Sequence, residues 1–171
     1  MTAITVEVHT RFIGALGDRV LRHGDVGSKP LDVDLAPPLP TSVRLYMFSL
    51  VEGGASRPHE YKAVLRVPGQ RVGEYASFKH GGHRLAVLCA YRDDLDVFVV
   101  WDASLHPRFK QGGNVRVDKD VVLRGAATGW AEQRRRVRLV RSWETIYACQ
   151  PRYLERALRE SMLTGGGDAV P

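Results

Sequence analysis

Residues 56–70, SRPHEYKAVLRVPGQ, gather the side chains best suited to chemistry. Arg57 and His59 flank Pro58, whose ring fixes φ near about −65° and biases Arg57 toward extended backbone, so guanidinium and imidazole are offered on a partly ordered loop. Such a loop suits an anion. Directly after it, Glu60 and Lys62 stand two residues apart, which on a strand puts both on one face. A metal-dependent nuclease of the PD-(D/E)xK type uses that spacing to hold Mg²⁺ and orient a water, and Asp34 or Glu52 would be its upstream carboxylate. Asp34, however, leads into a Pro-rich stretch where a strand end is wanted, and Glu52 adjoins Gly53 only eight residues before Glu60. A plainer account makes Glu60 and Lys62 solvated residues of an edge strand.

Other chemistries lack their residues. The six histidines fall in no HExxH, and no GxSxG, CxxC or GxxxxGK[ST] pattern occurs, which argues against a common hydrolase, a structural zinc site and a P-loop. No cofactor is therefore expected, Mg²⁺ entering only with the nuclease alternative. Cys89 and Cys149 lie in the apolar runs AVLCAY and TIYACQ and read as reduced core residues of a cytoplasmic protein. No secretory leader or membrane-spanning run is seen. The charge balance is the informative part of the composition: 25 Lys+Arg against 19 Asp+Glu give +6, and the excess is mostly arginine, whose planar fork suits phosphate. Nucleic acid is the expected partner.

The elements that must position these groups follow from periodicity. With 171 residues, one core-bearing domain over 1–163 is expected, and the TGGGDAVP end, 164–171, reads as the start of a linker or tail. Val8, Phe12, Ile13, Leu16 and Val20 predict a helix over about 10–23, with Thr5 or Thr10 as its cap. The Gly- and Pro-rich stretch 24–41 reads as an irregular crossing loop. Strands are predicted over 43–51, 60–67, 85–92 and 97–103 as an antiparallel meander. Between the second and third, a glycine-rich loop interleaves Arg71, Lys79, His80, His83 and Arg84 with Tyr75 and Phe78, a composition suited to approaching a phosphate backbone and stacking on it. After Trp101 a second proline-anchored loop, LHPRFKQGGNVRV, carries His106, Arg108, Lys110 and Arg116. Asp118 and Gly129 bracket a helix, the arginines 134, 135, 136, 138 and 141 form a basic helix end or a solvated connector, and a last strand over 144–149 precedes a closing helix over 151–162. The fold class is α+β, an antiparallel or mixed sheet of about five strands with helices at the N- and C-terminal ends.

On SRPHEYKAVLRVPGQ, on LDVFVVWDASLHPRF with the following NVRV, and on WAEQRRR, the chain resembles the sulfur-binding domains of McrA-like, modification-dependent (type IV) restriction endonucleases over about residues 43–136. The resemblance implies a module that recognises phosphorothioate-modified double-stranded DNA, catalyses nothing itself, and is joined to a separate C-terminal HNH nuclease domain. It further implies a sulfur pocket of Arg57, Pro58, His59, His106, Pro107 and Phe109, and the basic loops and arginine run around it are expected to give contacts to DNA from Lys79, His80, His83, Arg84, Arg108, Lys110, Arg116, Arg134 and Arg135. The sequence departs from the family where a tyrosine precedes the pocket proline and an alanine follows three positions later; His106 and Lys110 stand there. The physics of such a pocket is independent of the resemblance. Sulfur is larger, softer and less hydrated than oxygen, so a wall of proline and aromatic carbon gains by desolvating it, while an arginine keeps its charge paired. The two proline-anchored loops are expected to meet at one edge of the sheet, with Arg57 and His59 facing Pro107.

Overall fold

A computed structural model describes residues 2–39, 42–78 and 83–164. Helix α1, Ala3–Leu16, is capped by the Thr2 hydroxyl, which accepts from the Thr5 amide at 3.3 Å, and it buries Val8, Phe12 and Leu16 at helical spacing. It starts earlier than the sequence suggests and stops earlier too, because Gly17, at φ 52°, ends it; Val20–His23 then forms strand β1. The stretch read as a crossing loop holds a second strand, β2, Leu31–Leu35, in which Leu31, Val33 and Leu35 are buried and Asp32 and Asp34 are not. The prolines and glycines on either side hid that short alternation.

Strand β3 is Ser42–Ser49, β4 Val51–Glu52, β5 Glu60–Leu65, β6 Tyr75–Ala76, β7 Leu85–Arg92, β8 Val97–Trp101, β9 Phe109–Lys110 and β10 Gly113–Asp118. Helix α2, Lys119–Thr128, is followed by β11, Trp130–Val137, then β12, Ser142–Cys149, and helix α3, Leu154–Thr164. The fold is α+β with helices at both ends, as expected, but the sheet is larger than the expected five strands: seven in the order β1-β2-β3-β7-β8-β12-β11, beside a three-stranded sheet β10-β5-β4 and a two-stranded pair β6-β9. Two further corrections concern connectivity. β3 and β7 run parallel, Val43 opposite Leu85 through Ser49 opposite Tyr91, so the strands are no simple meander, and β5 lies in the small sheet. The arginine run is no helix end: Arg134, Arg135 and Arg136 belong to the edge strand β11, which pairs along its whole length with β12, and only Arg138 and Arg141 lie in a solvated connecting turn. The proposed tail falls on residues 165–171, outside the described residues. Among the described residues no helix is long and apolar enough to cross a membrane.

Apolar side chains pack on both faces of the large sheet. One cluster joins Phe12, Leu31, Leu45, Phe98, Leu154 and Leu158 beneath α1 and α3; the other joins Tyr46, Leu65, Trp101, Val117, Val122 and Ile146 beneath the small sheet and α2. β8 is buried at every residue, which explains its unbroken apolar run VFVVW. Cys89 and Cys149 are free and buried, and desolvation pushes the Cys149 thiol up to about 12. At Gly125 the α2 backbone lies directly on β12: a Cβ there would stand 2.6 Å from the Ala148 carbonyl oxygen. Backbone cannot yield as a side-chain tip can, so Gly125→Ala is expected to cost about 1–3 kcal/mol, read as a lower denaturant midpoint at unchanged m-value.

Candidate nucleic-acid interface

The two proline-anchored loops do not meet. Arg57, Pro58 and His59 lead into β5 at the end where Glu60 faces Asp118, whereas the Pro107 loop reaches the other end, where Gly113 faces Leu65 and the Gly112 amide donates to the Leu65 carbonyl at 3.0 Å. A six-residue strand, about 17 Å, separates them. The single pocket expected from Arg57, His59 and Pro107 is therefore not assembled. Arg57, Pro58 and His59 are exposed; Arg57 reaches back to Glu60 at 3.3 Å, and the His59 carbonyl accepts from the Lys119 amide. Phe109 is buried against Phe78, ring centres 4.7 Å apart, and Phe78 itself packs on Tyr46; these aromatics are core and not pocket wall.

The expected nuclease carboxylates are likewise dispersed. Glu60 divides its oxygens between Arg57 and Arg116, each at 3.3 Å. Asp34 belongs to the large sheet and is held by Arg22, Ser42 and Arg84, the Arg22 hydrogen bonds keeping its carboxyl below the usual range. Glu52 pairs opposite Tyr61, which on an alternating strand is the face away from Glu60 and Lys62. Among the described residues no group of three acidic, histidine or cysteine side chains is disposed to hold a metal.

Of the predicted DNA contacts, Lys79 and His80 lie outside the described residues. His83 is exposed with φ 68°. Arg84 is a staple: it pairs with Asp32 and Asp34 and donates to the Val33 and Val43 carbonyls, so it is not free for a phosphate. Arg116 is held by Glu60 and Arg135 by the buried Glu144, and neither is available either. Arg108, Lys110 and Arg134 are exposed.

The Pro107 loop and residues 66–78 build a cleft of about 800 Å³. Gln70 organises its rim, donating to the carbonyls of Glu74 and Phe109, while Gln111 donates to the Gln70 carbonyl; β6 and β9 pair across it. That rim presents Tyr75, half-exposed, with the Arg108 guanidinium 4.0 Å and the Lys110 ammonium 5.3 Å from its ring centre. Pro107, Pro68 and Val67 supply carbon, and from the opposite side Lys29, Pro30, Arg44 and Tyr46 close the cleft. Arg44 shares its charge with Asp32 at 3.0 Å. Lys29 has no carboxylate partner among the described residues. Its Nζ sits 3.5 Å from the Phe48 ring centre, and burial, aided by repulsion from Arg66, lowers its pKa to about 8. The cleft thus brings a half-buried cation, two arginines and one carboxylate, Glu74, together with proline, valine and tyrosine carbon. Reading the sequence missed Lys29 and Arg44; the one lay in the supposed loop, the other among alternating residues of a strand, and neither carries a motif.

The second exposed basic surface is the β11–β12 hairpin. Arg134 and Arg136 share a face with Trp143, 57% exposed, over which the Arg134 guanidinium stacks at 4.9 Å. Its base is tied to the cleft. Glu144, wholly buried, accepts from the Asp102 amide at 3.2 Å and from Arg135 Nε at 3.3 Å, and lies 2.8 Å from His106 Nε2. His106 thus fastens the hairpin while its neighbours Pro107 and Arg108 line the cleft.

Fold and site together define a mixed-sheet α+β module with a cleft lined by Lys29, Arg44 and Arg108 beside an arginine-rich hairpin. Residues 41–158 match the family model described as methylase-associated X1, and the chain belongs to that family, a restriction-modification-associated domain. No curated protein and no solved structure matches the chain.

Proposed function

We propose that this is a DNA-binding module of a modification-dependent restriction system, that its cleft receives a backbone phosphate of double-stranded DNA, and that it favours a phosphate carrying sulfur. The observation that carries this reading is Lys29, a half-buried ammonium with no carboxylate ion pair among the described residues, on a residue that lines a cleft whose wall mixes the polar groups of Arg108, Gln70 and Glu74 with proline, valine and tyrosine carbon. Membership of a methylase-associated family supports DNA as the partner. Sulfur selectivity is the finer part and rests on the apolar wall: Pro107, Pro30 and Pro68 gain contact with a soft, poorly hydrated atom and offer an oxygen nothing in place of its water. In this reading Pro107 remains part of the apolar wall, and Lys29 and Arg108 stand in place of Arg57 as the charge partners, Arg44 being already paired with Asp32. The module is a reader; cleavage would come from an HNH nuclease domain fused or bound to it.

The test is a titration of one duplex in matched phosphorothioate and unmodified forms. The modified duplex is expected to bind at least tenfold more tightly, and Pro107→Ser to narrow that ratio without weakening binding to ordinary DNA. Equal affinities would remove the sulfur selectivity; no binding of either duplex would remove the DNA-binding reading.

A further inference from the structure

β12 pairs with β8 only through Tyr147, Ala148 and Cys149, and β11 is the last strand of the sheet, so from residue 146 outward the hairpin has no third strand on either side. The Glu144–Arg135 rung is still anchored, by Asp102 and His106. Beyond it two further rungs, Arg136 opposite Trp143 and Val137 opposite Ser142, and the turn 138–141 project as a two-stranded ribbon. Three residues of strand reach about 10 Å, and the major groove of B-DNA is about 8.5 Å deep and 12 Å wide, enough for a two-stranded ribbon. The projecting part is charged in one sense only. Arg136, Arg138 and Arg141 are exposed, none forms an ion pair among the described residues, and no acidic residue lies between 134 and 143. Between them stand Leu139, 68% exposed, and Trp143. A bare leucine at the tip of a cationic finger is costly in water and useful against base edges, where thymine methyl groups lie. His106, two residues before the cleft arginine Arg108, sets the finger next to the phosphate site.

Resting on the DNA-binding reading above, we propose that residues 136–143 enter the major groove adjacent to the phosphate held in the cleft, and that Arg138 and Arg141 read guanine edges there, giving the module a preference for the sequence around the modification. The cleft would then fix the backbone and the ribbon the context.

The experiment compares a guanine-containing duplex with the same duplex carrying 7-deazaguanine, which lacks the N7 acceptor of the major groove, using the whole chain and the variant Arg138→Ala/Arg141→Ala. The native chain is expected to bind the 7-deaza duplex at least fivefold more weakly; the double variant, checked for an unchanged circular dichroism spectrum, is expected to bind both alike, and saturating netropsin in the minor groove is expected to compete with neither. Equal binding of the two duplexes by the native chain, displacement by netropsin, or equal affinity for an A-form RNA duplex, whose deep and narrow major groove excludes a ribbon, would overturn the placement. A duplex bound tightly, lost on Lys29→Met and yet indifferent to 7-deazaguanine would overturn the ribbon alone and leave the cleft reading standing. Failure to bind any duplex would overturn both.

Discussion

Lys29→Met is expected to make the protein more stable and at the same time to weaken its binding of duplex DNA tenfold or more. The wild-type ammonium is half-buried on the Phe48 ring and repelled by Arg66, and its pKa falls from 10.5 to about 8 because burial penalises the charge. Methionine keeps the length, packs its sulfur on the same ring and removes the penalty. Discounted for the solvent that still reaches the group, that shift corresponds to a gain on the order of 2 kcal/mol, or about 5 °C in melting temperature. Binding moves the other way. Loss of one charge-assisted contact weakens a backbone ligand by about 1.5–3 kcal/mol, tenfold or more. The pH dependence follows from the same residue. Between about 8 and 10.5 the unfolded chain carries a proton on Lys29 that the folded chain has released, so this residue's contribution to stability rises with pH across that window. Affinity for duplex falls over the same interval as the neutral amine ceases to attract phosphate. Calorimetry and duplex titration at pH 7 and 9.5 measure both; a variant that melts lower than wild type, or binds as well, would contradict the assignment.

Glu144→Ala is expected to be the most damaging single change, about 3–5 kcal/mol, because it strands the Arg135 guanidinium, the His106 ring and the Asp102 amide around a carboxylate that was wholly enclosed. Its damage is also spatially specific. The Asp102–Arg108 segment and the hairpin base lose their common fastening, so hydrogen exchange should accelerate in both before it does in β3 or β7. Glu144→Gln preserves an acceptor for the Asp102 amide and is expected to recover part of the loss. Uniform acceleration across all strands would show Glu144 to be an ordinary core residue and not a local clasp.

The parts of the fold legible in the sequence were those where one periodicity holds without interruption. β7 and β8 read as strands since their apolar residues are continuous, β3 by its alternation around Arg44 followed by an apolar run, and α2 read correctly between Asp118 and Gly129, which takes the left-handed conformation, φ 97°, at the helix end. β2 was lost because its three buried residues sit inside a Pro- and Gly-rich frame, and the arginine run looked like a basic helix end or a solvated connector because the inward residues of β11, Gln133 and Arg135, are polar yet bound, by Asp118 and Glu144. The site was less legible than the fold. A proline beside an arginine marks a loop that could hold an anion but carries no information on which end of a strand the loop occupies; the six residues of β5 decided that. Pairing decided the rest: Arg84, Arg116 and Arg135 are as basic in sequence as Arg108 and Arg134, and only their carboxylate partners reveal them as internal fastenings.

The stretch that matches the family model begins at residue 41, just ahead of β3, whereas Lys29 and Pro30 come from the chain before it. β2, from that same leading segment, also pairs with the flank of β3. The leading residues are nonetheless integral to the module: Phe12, Leu31, Val33 and Leu35 lie in one core cluster with Leu45 and Phe98, β2 covers a flank of β3 that would otherwise be open to pairing, and the same segment brings Lys29 to the cleft. A change at Lys29 or Pro30 therefore alters the wall of the cleft while every lining residue within 41–158 stays as it is.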